Sequence, residues 1–171
     1  MEFIDLAKSR YSVRSFSDKK VEDEKLELIL EAGRVAPTAC NNQPQKIYVL
    51  QSVNAIEKLK EVSKFVFGAK TVIMITADRN AEWKNPLTDK YRTGEIDCSI
   101  VCTHMMLQAW ELGIGSCWVG YYDPDLIAKQ FNLPANEQVI ALLPIGYPAE
   151  GSKPSNGHYA SKTLKQMVSY I

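Results

Sequence analysis

The segment Arg10-Tyr11-Ser12-Val13-Arg14-Ser15-Phe16 puts two guanidinium groups and two serine hydroxyls within six residues, a pattern suited to gripping an anion. Guanidinium forks give multidentate, charge-assisted hydrogen bonds to a phosphate, which point-charge lysines on a solvated face do not match in geometry. Some twenty residues later, Pro37-Thr38-Ala39-Cys40-Asn41-Asn42-Gln43-Pro44 holds amides and a hydroxyl between two prolines. That is a stiffened polar loop, able to hydrogen-bond the edge of a planar ring. Taken singly, the first cluster also reads as a solvated basic turn and the second as an ordinary turn, Asn42 most of all.

The elements that must carry these clusters follow from periodicity. Residues 2–9 read as a short helix ending at the basic cluster. From Glu22 to Arg34 the apolar residues Leu26, Leu28, Ile29, Leu30 and Ala32 predict an amphipathic helix stopped by Pro37, so the amide loop begins at a helix end. Gln45–Gln51 and Ala69–Ala77 read as strands, the second buried, with a helix over Val53–Lys64 between them. The polar stretch from Asp78 to Gly94, with Trp83, Pro86 and Tyr91, is expected as a loop or short irregular helix, of the kind that often covers a site. Glu95–Leu112 is apolar nearly all round and must be buried on most sides. After a Gly113/Gly115 turn, Ser116–Tyr122 predicts a strand, and Asp123-Pro124 opens a helix to Phe131 with Asp123 as N-cap. Val139–Tyr147 is the final core strand, and 148–171 is a polar tail with an apolar end at Leu164, Met167, Val168 and Tyr170. Irregular strand and helix order favours a single α+β domain over residues 1–171, with no repeat. Gly113-Ile114-Gly115 follows a helix, not a strand, so it is not a dinucleotide fingerprint.

The basic cluster, the amide loop and a third segment, Leu112-Gly113-Ile114-Gly115-Ser116-Cys117-Trp118-Val119-Gly120, occur in an order and spacing that resemble the FMN-dependent nitroreductase family. The family pattern is Arg-x-Ser-x-Arg, then Pro-Ser-x-x-Asn-x-Gln-Pro, with Thr38 standing here for the serine. The resemblance spans nearly the whole chain. It implies a nitroreductase-like α/β sandwich with a mixed, mainly antiparallel central sheet flanked by helices, the Glu95–Leu112 helix in the dimer core, and a C-terminal arm exchanged within a homodimer. It also implies FMN as cofactor. Arg10, Ser12 and Arg14 would hold the phosphate, with Tyr11 giving backbone contacts or ring packing and Lys162 adding a second cation. Pro37, Thr38, Ala39 and Asn41 would reach the flavin from the other subunit, with Gln43 supporting that loop. Trp118, Val119 and Gly120 would line the ring's inner face, the Gly120 N–H meeting N5; on its own, Trp118 reads as plain core packing. Two departures stand out: Ser161-Lys162 replaces the family's tandem basic pair, and Gln45 stands where Trp is usual.

The chemistry implied is hydride transfer from NAD(P)H to a small planar acceptor through the flavin, with no side chain demanded as acid or base. Nitroaromatics, quinones and free flavins are the expected acceptors. A specialised relative, dehalogenating or flavin-consuming, would need a larger lid than 78–94 offers, and a flavin-binding module without turnover is the non-enzymatic alternative. A thiol oxidoreductase built on Cys40 lacks any neighbouring cation to lower the thiol pKa.

Composition excludes other classes. Twenty basic and twenty acidic residues cancel among 171, with no basic stripe, which disfavours nucleic acid and anionic membranes as partners. A chain of this length buries roughly 70% of its unfolded surface, enough for one real core. The start lacks a signal-peptide pattern and no stretch of about 18 apolar residues occurs, so a cytoplasmic protein is expected. Cys40, Cys98, Cys102 and Cys117 form no Cys-x-x-Cys pair, so no metal site is expected. Cys98 and Cys102 should be buried thiols, His104 a hydrogen-bonded core or interface residue, and His158 solvated.

Overall fold

A computed structural model describes residues 2–88 and 90–171. The helices are α1 (Phe3–Ser9), α2 (Asp23–Arg34), α3 (Val53–Val62), α4 (Gly94–Glu111), α5 (Pro124–Gln130) and α6 (Leu164–Met167). The strands are β1 (Gln45–Leu50), β2 (Thr71–Asp78), β3 (Gly115–Ser116) and β4 (Glu137–Gly146), with single 3-10 turns at Ala39–Asn41 and Asn156–Tyr159. Pairing is antiparallel in the order β1-β2-β4-β3. A parallel bridge from Ser12 to Ser116 carries the N-terminal segment along the β3 edge.

The apolar run of β2 is buried because helices cover both sheet faces. Alternate residues split accordingly. Ile73, Ile75 and Ala77, with Ala141, Leu143 and Ile145 of β4, pack against Leu26 and Ile29 of α2 and Val101, Cys102 and Met105 of α4. Val72, Met74 and Leu142 face Ile56 and Leu59 of α3, Ile127 of α5, and Val13 and Val119. The result is an α+β sandwich with helices on both sides of an antiparallel sheet.

Helix ends obey local chemistry. The Asp123 carboxylate accepts from the N–H groups of Asp125 and Leu126, with Pro124 at the first turn, as the dipeptide predicts. Helix α4 stops where Gly113 takes φ 75°, a left-handed cap that lets the Ile114 N–H return to the Ala109 carbonyl at 2.8 Å.

One expectation is corrected. The strand over Ser116–Tyr122 shrinks to Gly115–Ser116 plus an isolated bridge between Val119 and Leu142. Pro144 accepts from the Cys117 N–H at 3.2 Å but has no N–H to return, so a two-way ladder cannot continue there. Within the single chain helix α4 is covered on one side: Cys98, Val101, Cys102, Met105 and Ala109 face the core, whereas Ile96 is exposed and Ile100, His104 and Leu107 are half-buried. His104 Nδ1 lies 2.9 Å from the Ile100 carbonyl on that open face, an element surface rather than the core. The described residues between β2 and α4 form a loop, as expected, and it is an organised one. Lys84 bridges to Arg92, Trp83 meets Tyr91 edge-on, and at the base the buried Glu82 carboxylate lies between Arg79 (2.7 Å) and Arg92 (3.3 Å). Asp89, within this stretch, lies outside the described residues. Among the described residues no helix is long and apolar enough to cross a membrane.

Candidate functional site

Arg10 caps α1, its N–H donating to the Leu6 carbonyl, and the chain then runs extended. In extended backbone residues two apart share a face, so Arg10, Ser12 and Arg14 point one way while Val13 enters the core. The Val13 N–H donates to the Ser116 carbonyl at 2.9 Å, which fixes this register to β3. The Arg-x-Ser-x-Arg spacing is therefore a strand-period device that concentrates three anion-binding side chains on one side.

That side faces a cleft of about 760 Å³. Its walls are Ala7, Lys8, Arg10, Tyr11, Ser12 and Arg14 from the N-terminal segment and Ser155, Gly157, His158, Tyr159 and Ser161 from the tail. Among the described residues no carboxylate lines it. Neither Arg10 nor Arg14 makes an ion pair among the described residues; Arg14 Nη1 reaches only the Ser12 carbonyl, at 3.4 Å. Tyr11 closes one end, its ring edge-on to Trp110 at 5.2 Å and its hydroxyl donating to the Ser152 carbonyl. Two cations without carboxylate partners beside a hydroxyl make an anion site.

The tail contribution was not legible in sequence. His158, expected to be solvated, is half-buried in the cleft wall, its ring edge-on to Tyr11 (6.4 Å) and Tyr159 (4.9 Å). The only hint was the aromatic pair His158-Tyr159 inside an otherwise polar tail. Lys162 is exposed and lies outside the cleft wall, where its neighbour Ser161 takes part. Lys8 was also missed.

The Pro37–Gln43 loop is elsewhere. Thr38 Oγ1 accepts from the Gln43 N–H (3.1 Å), Gln43 Nε2 donates to the Asn41 carbonyl (3.3 Å), and the Ala39 N–H donates to the buried Asp97 carboxylate at 2.9 Å. Cys40, Asn41 and Gln43 all take left-handed φ of 51°, 54° and 51°. Side-chain-bearing residues pay about 1–3 kcal/mol each for this, so the surroundings must hold the loop in shape. Asp97 anchors it at the N-terminal end of α4, whereas Trp110, beside the cleft, lies thirteen residues along the same helix. At 1.5 Å per residue that is about 20 Å. Within one chain the loop and the phosphate-type cleft are not brought together. Gln45, just after the loop, begins β1 with its Oε1 buried and without a partner.

Trp118 is half-buried against the α2/α4 side of the core, and Val119 is buried, exchanging both backbone hydrogen bonds with Leu142. Gly120 is exposed, and its N–H has no acceptor among the described residues. It lines a second cavity of about 350 Å³ with Lys64, Phe65 and Tyr121. Four residues of extended chain separate it from Ser116, so it lies within about 14 Å of the Ser12 bridge.

The thiols are inert where buried: burial pushes Cys98 up to about 12 and raises Cys102 and Cys117 as well. Among the described residues no group of His, Cys, Asp and Glu side chains could hold a metal ion.

With this geometry in place, comparison with known proteins gives one picture. The model of the nitroreductase family matches residues 7–64 and 62–147. A nitroreductase family protein of Clostridium difficile 630 is 42% identical, with 99% of this chain and 98% of that one superposed at a TM-score of 0.93. A provisionally named nitroreductase of Desulfovibrio desulfuricans, solved in complex with FMN, is 26% identical with a TM-score of 0.81, covering 100% and 97% of the two chains. An Archaeoglobus fulgidus protein, provisionally named NADH dehydrogenase/NAD(P)H nitroreductase, is 32% identical over 158 residues, 87% of each chain.

Proposed function

As the chain belongs to the nitroreductase family, we propose that it is an FMN-dependent NAD(P)H oxidoreductase that acts as a homodimer on small planar acceptors. The observation that carries this reading is the carboxylate-free cleft in which Arg10, Ser12 and Arg14 converge. The donor set fits a flavin mononucleotide: two guanidinium groups without carboxylate partners and a hydroxyl for the phosphate, and an unpaired N–H at Gly120 for the ring.

Bound FMN would supply two-electron chemistry, hydride transfer between NAD(P)H and a nitroaromatic, quinone or flavin acceptor. The protein's part is binding and electrostatics. Arg10 and Arg14 would neutralise the phosphate while Ser12 donates a hydrogen bond to it. The Gly120 N–H, unspent on the sheet among the described residues, would donate to the flavin ring where electron density develops, the kind of fixed dipole that favours the reduced state. Trp118 and Val119 back that part of the ring. Pro37, Thr38, Ala39 and Asn41 complete the site from the partner subunit, with Gln43 bracing their loop. The roughly 20 Å between loop and cleft along α4 supports a contribution across subunits, as does a loop held in costly backbone conformations and presented outward.

The test is an absorption spectrum of the purified protein from about 300 to 550 nm, then anaerobic addition of NADH and NADPH. Twin flavin bands that bleach with either nucleotide are the expected result and name the donor. Steady NAD(P)H oxidation with a nitroaromatic acceptor separates an enzyme from a flavin-binding module. A colourless protein that takes up no added FMN sinks the reading.

A further inference from the structure

Resting on the FMN reading above, we infer that His158 is a phosphate-binding cation of the cofactor site, supplied by the tail turn, and that it makes cofactor retention depend on pH. The argument starts from the departure at the tail. The sequence has one basic residue, in Ser161-Lys162, where two are expected, and the structure leaves Lys162 outside the cleft wall. The tail nevertheless contributes one side chain able to carry positive charge to that wall, His158.

Its placement is held rather than incidental. The His158 N–H donates to the Ser155 carbonyl at 2.9 Å, closing the Asn156–Tyr159 turn, and the imidazole is wedged between the rings of Tyr11 and Tyr159. Tyr11 is itself fixed by Trp110 and by its hydrogen bond to Ser152. The ring therefore borders the same cavity as Arg10, Ser12 and Arg14 without an acidic partner. The titratable and charged groups that face this cavity are Lys8 from α1, Arg10, Tyr11 and Arg14 from the extended segment, and Tyr159 from the turn itself.

A phosphate monoester, carrying between one and two negative charges near neutrality, favours a protonated imidazole beside it. Binding of the phosphate and protonation of His158 thus favour each other, and affinity for FMN gains from His158 only where the imidazolium can form. Riboflavin, which has the same ring and no phosphate, gains nothing.

The test is to titrate FMN and riboflavin into the flavin-free full chain by fluorescence quenching, for wild type, His158→Gln and His158→Ala, at about pH 6 and about pH 8.5, either side of the imidazole range. A charge-assisted hydrogen bond predicts that His158→Gln weakens FMN by about tenfold at the lower pH and about twofold or less at the higher one, with riboflavin unchanged. Comparison of wild type with variant cancels the titration of FMN's own phosphate. An equal loss at both pH values, an equal loss for riboflavin, or no loss for FMN overturns the inference while leaving the FMN reading intact. Failure of the wild type to bind either flavin removes both together.

Discussion

At the scale of single residues, Val13 ties the core to the cleft, because its side chain is fully buried while its neighbours Ser12 and Arg14 face the anion site. Gly115 is what lets it sit there. A Cβ at that position would lie 2.6 Å from Val13 Cγ2 and 3.0 Å from Val13 Cβ, and the second contact cannot be relieved by turning a side chain that is stiff at χ1 and buried in the core. Gly115→Ala should therefore push the extended segment off β3, lowering stability by about 1–3 kcal/mol in urea unfolding and weakening FMN binding with it. Adding Val13→Ala makes room, so the double variant should lose less than the sum of the two single losses. An unchanged urea midpoint for Gly115→Ala would show that the segment is not wedged as described. The Arg10, Ser12 and Arg14 grouping was legible in the sequence because a spacing of two fixes a shared face whenever the backbone is extended. His158 was not, since it reaches the cleft only through the return of the chain after β4, which no local pattern encodes.

At the scale of elements, the N-terminal end of α2, the end of β4 and the end of α4 are joined by one polar staple. The Tyr147 hydroxyl donates to Glu22 Oε2 at 2.6 Å, while Lys25 Nζ donates to that hydroxyl at 2.8 Å and to the Leu112 carbonyl at 3.1 Å. The Tyr147 hydrogen bond, reinforced by a backbone hydrogen bond and by Lys19, lowers Glu22 to about 2 from an ordinary value of 4.5. A carboxylate whose folded pKa is depressed stabilises the fold above its unfolded pKa, and that contribution is lost as pH falls through the folded one. Wild type should accordingly outlast Glu22→Gln in thermal unfolding above about pH 4.5, the gap closing as pH drops towards 2. A gap that stays constant over that range would assign the difference to packing and not to charge. Long-range staples of this kind are invisible in sequence, as is the interruption of β3, which depends on Pro144 lying opposite in another strand. What periodicity and capping residues do specify came through: α2, α3 and α5, the buried β2, and the Asp123 cap. For α4 the same logic reached its limit. A helix apolar all round must be covered, but the pattern does not say whether its own sheet or a second chain covers each face.

At the scale of the whole molecule, two of the apolar surfaces that the described residues leave uncovered in the single chain bear on assembly. One is the outer face of α4, with Ile96 and Ile100; the other is the tail, where Leu164 is 79%, Met167 68% and Tyr170 98% exposed. Helix α6, only four residues long, packs no buried residue of its own. Large apolar side chains left in water together are the mark of an interaction surface, and removing them from water is favourable by about 1.5–3 kcal/mol for each one fully buried. The proposed homodimer, by covering α4 and receiving the tail, would account for both surfaces. Because Leu164 and Met167 are already exposed in the single chain, changing them does not disturb its core. The double variant Leu164→Asp, Met167→Asp should thus keep the circular dichroism of the wild type yet shift in light scattering from twice the 19.2 kDa chain mass to the chain mass itself. Flavin should be lost in the same step if, as proposed, Thr38 and Asn41 reach the ring from the partner subunit while the phosphate cleft belongs to one chain. A variant that becomes monomeric while retaining stoichiometric FMN would show that one chain suffices for the site, and would move the loop's strained backbone from cofactor binding to some other task.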